Sequence, residues 1–201
     1  MQLVLATNNA DKIAEIRHVL DDLPITILTK DDFLDFPNVD ETADTLEGNA
    51  ILKARALREA TGLASLADDT GLEVDALGGA PGVYSARYAG PSATYADNCQ
   101  KLLHELRDVP SEQRAARFRT VIAIDWGDKV EAVEGVVEGM ITNTPHGSSG
   151  FGYDPVFLCP GLKQTFAEMS LEDKNAISHR GQALLKAREI IFERINRRVA
   201  R

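Results

Sequence analysis

The chain has 201 residues, 44% of them hydrophobic and 26% charged, with a formal net charge of -9. That length suffices to bury a core as one domain spanning 1–201, and the acidic balance excludes a non-specific nucleic-acid binder. Cys99 and Cys159 lack CxxC spacing, which argues against a disulfide framework or a structural zinc site.

Residues 2–6 (QLVLA) read as a buried strand, and a helix over about 10–20 puts Ile13, Ile16 and Leu20 on one face. MQLVLATNNADK does not have the pattern of a signal peptide. Pro24 closes this first unit, and ITIL at 25–28 is a second strand. The acidic stretch 30–44 reads as a loop. A helix from about Thr45 to Ala60 spaces Ala50, Ala54 and Leu57 for burial, with Gly62 as its stop signal. LASLA is then a strand that delivers the chain to Asp68 and ends there.

A helix begins near Thr94, with Asp97 in capping-box position and Cys99, Leu102, Leu103 and Leu106 on its inner face. RFRTVIAIDW, 117–126, alternates, so that Phe118, Thr120, Ile122, Ile124 and Trp126 face one way. Gly127-Asp128 joins it to a second extended run at 130–140. A glycine-dense loop follows, and a last helix over about 180–197 has Ala187, Ile191 and Ile195 inside. Helices alternating with short strands, around a central hairpin, specify an α/β fold without repeats. No stretch approaches the roughly 18 apolar residues of a membrane span. A cytoplasmic location with no membrane partner is the expectation.

Four segments gather polar groups at element ends, and each admits a structural as well as a functional reading. LATNNADK brings Thr7, Asn8, Asn9 and Lys12 to a strand-to-helix turn. Backbone donors, a hydroxyl and an ammonium there make an anion cradle. A bound phosphate would compensate Lys12, which the macrodipole disfavours in a first turn. The other reading is an Asn-capped surface helix with a solvated lysine. Asp68 and Asp69 are adjacent at a strand end and so point to opposite sides. One suits a hard cation and the other a water molecule, unless both only close a turn. Glu41 is a further acid that could reach the same ion.

GSSGFGYDPVF, 147–157, offers Phe151 and Tyr153 as flat surfaces for a ring, with Asp154 to read a donor at its edge. The alternative is a turn with one buried aromatic. DKNAISHRGQAL, 173–184, gathers Lys174, Ser178, His179 and Arg180 where the final helix starts. They are donors for a keto oxygen and a phosphate, or else a capped helix start with exposed basic residues.

Taken together and in order, LATNNADK, TLEGNAILKA, ADDTGLEVDALGGAPGVYSARYAG, GFGYDPVF and SHRGQAL resemble the Ham1-like nucleoside triphosphate pyrophosphatases. These are also called inosine triphosphate or dITP/XTP pyrophosphatases, and the resemblance covers almost the whole chain. It implies an elongated mixed β-sheet with flanking helices, and two lobes around a central nucleotide-binding cleft. It also implies a homodimer and Mg²⁺-dependent hydrolysis of ITP, dITP and XTP to the monophosphate and pyrophosphate.

By the same resemblance Thr7, Asn8, Asn9, Ala10, Asp11 and Lys12 hold the triphosphate, and Thr70 touches substrate. Asp69 is implied as general base and metal ligand, with Glu41 as a second ligand. Phe151, Gly152, Tyr153 and Asp154 line the base pocket, completed by Lys174, His179 and Arg180, whose donors would favour a 6-oxo purine over adenine. Asn8 stands where many relatives have a small residue, and Tyr153 where some have Trp. The expected partners are small purine triphosphates and no nucleic acid. The competing classes are a nucleotide sensor, which would not need Asp69 beside a metal, and another Mg²⁺-dependent phosphohydrolase, which would not release pyrophosphate.

Overall fold

The computed structural model describes residues 1–159 and 161–199. β1 (Gln2–Leu5) leads into α1 (Ala10–Leu20) and β2 (Thr26–Leu28). α2 (Leu46–Thr61) starts on a Thr45 cap and stops at Gly62, whose φ of 70° suits glycine. β3 (Ala64–Val74) is followed by the short β4 (Pro81–Gly82) and by α3 (Tyr95–Glu105). The hairpin is β5 (Ala115–Asp125) and β6 (Val130–Ile141). β7 (Phe157–Cys159), β8 (Gln164–Thr165), α4 (Leu171–Ile177) and α5 (His179–Val199) complete the order.

One mixed sheet runs β2-β1-β3-β5-β6-β7-β8, with β4 paired to β3. β1 pairs in parallel with β2 and β3, whereas β3–β4, β6–β7 and β7–β8 are antiparallel. The fold is thus α/β with a mixed sheet, as the sequence predicts.

The chain divides into two compact units. The first comprises Met1–Asp69, Thr120–Gly135 and the chain from Arg180 on; the second comprises Thr70–Arg119 and Val136–His179. In the first unit, strand alternation assigns the faces. Leu3, Leu5 and Leu66 pack with Ile16 and Leu20 of α1 and with Ala183, Leu184, Ala187 and Ile191 of α5. Ser65, one residue out of phase, turns the other way and donates from Oγ to the Ala54 carbonyl of α2 at 2.6 Å. In the second unit Cys99, Leu102 and Leu106 of α3 join Leu72, Val74, Phe118, Phe157 and Phe166.

Three segments differ from expectation. β3 does not stop at Asp68 but runs through both carboxylates to Val74. Leu72 and Val74 are fully buried, and Leu72 pairs with Gly82 of β4, so apolar burial and ladder pairing resume beyond the acids. The segment before the last helix is itself helical: Ser170 caps α4 by accepting from the Asp173 amide, and Ser178 ends it in extended conformation. The alternation predicted for 117–126 holds at Phe118, but from Thr120 to Asp125 every residue is buried.

Leu102 has no exposed surface and lies in the middle of the second core. Leu102→Ala is expected to destabilise the protein by about 2–5 kcal/mol. Urea unfolding would show this as a lower midpoint at unchanged slope.

Candidate active site

Asp68 and Asp69 are neighbours on β3, and the pleat sends them to opposite faces of the first unit. Asp68 shares the face of Leu66. Its Oδ2 meets Lys12 Nζ of α1 at 3.0 Å and Arg180 Nε of α5 at 3.3 Å, while Arg180 Nη1 donates to Glu15 Oε2 at 2.7 Å. Glu15, Asp68 and Arg180 are each buried. Burial alone would raise the Asp68 carboxyl, but the charges of Lys12, Arg180 and Lys53 outweigh it and hold it well below the usual carboxylate range. The Lys12 ammonium is lowered by burial and by repulsion from Arg180 and Lys53, with Asp68 offsetting only part.

Asp69 follows Ser65 toward α2. Lys53 Nζ of α2 donates to Asp69 Oδ1 at 2.7 Å, to Glu41 Oε1 at 3.0 Å and to the Asp68 carbonyl at 2.7 Å, which employs all three ammonium hydrogens. Asn49, one turn earlier on α2, donates from Nδ2 to Asp69 Oδ2 at 3.5 Å. Burial pushes the Asp69 carboxyl up to about 6 against the attraction of Lys53, and the Glu41 charge adds to the rise. Lys53 itself would be lowered by burial, but Asp69, Asp68 and Glu41 together raise it. Adjacent acids therefore titrate in opposite senses: Asp68 stays ionised, and Asp69 can exchange a proton near neutral pH.

A cavity of about 270 Å³ opens beside this cluster, lined by the 6–9 turn, Lys12, the 36–39 stretch, Glu41, Lys53 and Asp68. The start of α1 departs from the expected cradle. Asn9 Oδ1 accepts from the Asp11 and Lys12 amides at 2.9 and 3.2 Å, and Thr7 Oγ1 accepts from the Asn9 amide at 3.2 Å. The asparagine cap is built, yet its lysine is not solvated, because Asp68 supplies the compensating charge. Ala10 and Asp11 form the first turn of the helix.

The second unit holds the remaining predicted residues. Asp154 Oδ2 accepts from the Phe151 amide at 2.8 Å and from Lys174 Nζ of α4 at 2.8 Å. The same ammonium lies 4.7 Å from the Phe151 ring centroid. A Cβ on Gly150, which has a φ of 71°, would overlap the Asp154 carboxylate, so glycine is required there. His179 is buried and stacks on Phe118, with centroids 4.4 Å apart and planes 13° apart. Tyr153 is not a free stacking surface: the residue is 4% exposed and sits in the core, and its hydroxyl donates to the Ser85 carbonyl at 2.9 Å. Thr70, the first residue of this unit, is partly exposed on β3.

A family model described as "Ham1 family" matches residues 3–190. The chain belongs to the Ham1 family. A dITP/XTP pyrophosphatase of Geobacter sulfurreducens is 51% identical over 91% of this chain and 92% of that protein. One from Caldanaerobacter subterraneus subsp. tengcongensis is 47% identical over 97% of this chain and 98% of its own length. Among solved structures, a HAM1 protein from Coxiella burnetii superposes with a TM-score of 0.89 at 43% identity, covering 96% of this chain and 99% of that one. The matched span contains all of the clusters described above, with Arg180 engaged at Asp68 in the first unit and Lys174 and His179 in the second.

Sequence reasoning passed over Lys53, Glu15 and Asn49. Lys53 had a signal: it lies four residues from both Asn49 and Leu57, at the edge of the buried stripe of α2, where a lysine requires an acidic partner. Glu15 lies three residues after Lys12, beside the apolar Ile16.

Asp68→Ala would leave Lys12 and Arg180 facing each other without their carboxylate, and a loss of about 3–5 kcal/mol is expected. Since the Asp68 carboxyl is depressed in the folded protein, its stabilisation is complete above its ordinary value of 3.8 and declines as pH falls below it. Acid-unfolding curves of Asp68→Asn should accordingly be flatter than wild type below about pH 4. Parallel curves would contradict this assignment.

Proposed function

We propose that the protein hydrolyses deaminated purine nucleoside triphosphates, ITP, dITP and XTP, to the nucleoside monophosphate and pyrophosphate. The observation that carries this is Asp69, a buried carboxyl raised to about 6 and held by Lys53 beside a polar cavity. A general base must be ionised yet willing to accept a proton near working pH, and this environment produces such a group. The relatives' names as dITP/XTP pyrophosphatases support the substrate class.

In the proposed reaction a water oxygen forms a bond to phosphorus, the α–β bridging P–O bond breaks, and the water's proton passes to Asp69. Lys53 orients that carboxylate. Lys12, with the Thr7, Asn8 and Asn9 turn and the start of α1 at Ala10 and Asp11, would bind the phosphates. An incoming phosphate would compete with Asp68 for the Lys12 ammonium. Thr70 would touch substrate beside Asp69. Arg180 acts through Asp68, holding that carboxylate and its neighbours in place. Phe151, Gly152, Asp154, Lys174 and His179 would form the base site, with Tyr153 supporting it from the core.

The residues present fit Mg²⁺. Asp69 Oδ1 and Glu41 Oε1 both lie within 3.0 Å of one ammonium nitrogen, so two hard oxygen donors converge. Two carboxylates suit an ion that retains waters and takes phosphate oxygens. When bound, Mg²⁺ would supply positive charge to the pyrophosphate as it leaves. We further propose that the enzyme is a cytoplasmic homodimer acting on free nucleotides. The net charge of -9 and the absence, among the described residues, of a helix long and apolar enough to cross a membrane are in keeping with that.

Pyrophosphate release from ITP, XTP, GTP and ATP, with Mg²⁺ and with chelator, tests the reaction. Fast, metal-dependent release from ITP and XTP, and little from ATP and GTP, is expected; silence with every nucleotide would refute it. Asp69→Asn should lower kcat at least about 100-fold in a folded protein. Because ionised Asp69 is the active form, kcat/KM should fall as pH drops below about 6, and a pH-independent rate across that range would remove Asp69 from the role.

A further inference from the structure

Tyr95 belongs to none of the motifs above, yet α3 carries it to the loop that holds Phe151. Thr94 caps α3 with both hydrogen bonds of a capping box, which fixes Tyr95 as its first residue. The two rings lie with centroids 6.0 Å apart and planes inclined at 43°, a tilted aromatic pair. One turn further along the same helix face, the Cys99 thiol donates to the Gly152 carbonyl at 3.3 Å. Burial pushes that thiol up to about 11, so it remains a donor at neutral pH. Two successive turns of α3 therefore grip two successive residues of the loop.

The grip is unequal. Cys99 is 6% exposed, whereas Tyr95 keeps 47% of its surface in solvent. Tyr95 therefore stands at the solvent edge of a partly buried contact. Lys174 also lies against Phe151 and anchors Asp154. Phe151 is thus held by an ammonium and by a tyrosine.

We propose that Tyr95 is a positioning residue of the base site: it sets the angle of Phe151 and offers the purine ring a second aromatic surface. This rests on the assignment of Phe151 to the base site made above. Its contribution is to ring binding and not to the phosphate chemistry, so it belongs in KM and leaves kcat alone.

The test is steady-state hydrolysis of ITP by Tyr95→Ala, Tyr95→Leu and Tyr95→Phe, with Phe151→Ala alongside and inorganic tripolyphosphate as a base-free competitive inhibitor. Tyr95→Ala and Tyr95→Leu should raise KM roughly 5- to 20-fold, as expected for loss of one stacking partner, with kcat within about twofold and tripolyphosphate inhibition unchanged. Tyr95→Phe should restore the wild-type KM. If Phe151→Ala raises KM while Tyr95→Ala does not, Tyr95 has no such role and the base site stands. If tripolyphosphate inhibition weakens in step with KM, the substitution acts through general structure and the proposal fails. An unchanged KM in both Tyr95→Ala and Phe151→Ala would overturn the base site and the proposal with it.

Discussion

Everything in the first unit depends on one strand carrying two adjacent carboxylates through a buried sheet. A β-strand must present successive side chains to opposite faces, so Asp68 and Asp69 cannot share surroundings. The helices on each face answer separately. α1 and α5 bring Lys12 and Arg180 to Asp68, and α2 brings Lys53 and Asn49 to Asp69. Two buried cations on one carboxylate depress it; one cation, itself shared with Glu41 and a backbone carbonyl, leaves the other raised. The chemical difference between identical side chains comes from the pleat.

The cost of burying these charges is met by mutual contact. An unpaired ion in such a site would cost several kcal/mol, and none of these groups stands alone. Lys53 spends each of its hydrogens on an oxygen, and Arg180 spans Asp68 and Glu15. Such a cluster contributes less to net stability than its ion pairs suggest. Its effect is to keep the Asp69 carboxyl in one orientation, with its titration raised. The second unit solves a related problem with apolar material: Phe118 and Phe166 lie against His179, with Phe157 packed on both of them, and the buried Lys174 reaches Asp154 from α4.

Much of this was legible in the residues. The strand-helix order, the Thr94 cap and the hairpin at Gly127 follow from short-range rules of periodicity and turn chemistry, and so does the opposed orientation of the two acids. Less legible were features that depend on distant partners. The strand appeared to end at Asp68 because carboxylates are poor strand formers, and only the cations of α1, α2 and α5 make them tolerable there. Lys53 hid inside a helix motif that otherwise looked apolar. Tyr153 looked like a ring platform, since its neighbours are glycines, but burial in the core and the Ser85 carbonyl claim it. An asparagine cap was one of two readings of the 5–12 stretch, and Asn9 supplies it, while the counter-charge for Lys12 lay more than fifty residues away.

The passage of β3 through the two carboxylates also bears on how such a chain can vary in length. One residue inserted or deleted between Leu66 and Leu72 would exchange the faces of every side chain beyond it. Leu72 would leave the core, and the carboxylates would trade environments or lose them. A substitution changes one side chain and leaves the others on their faces, but a frame of two must be kept. The 33–44 stretch, which supplies Glu41 from irregular backbone, has no such constraint beyond reaching Lys53. Gains and losses of residues among members of this family should accumulate in such segments and spare the strand.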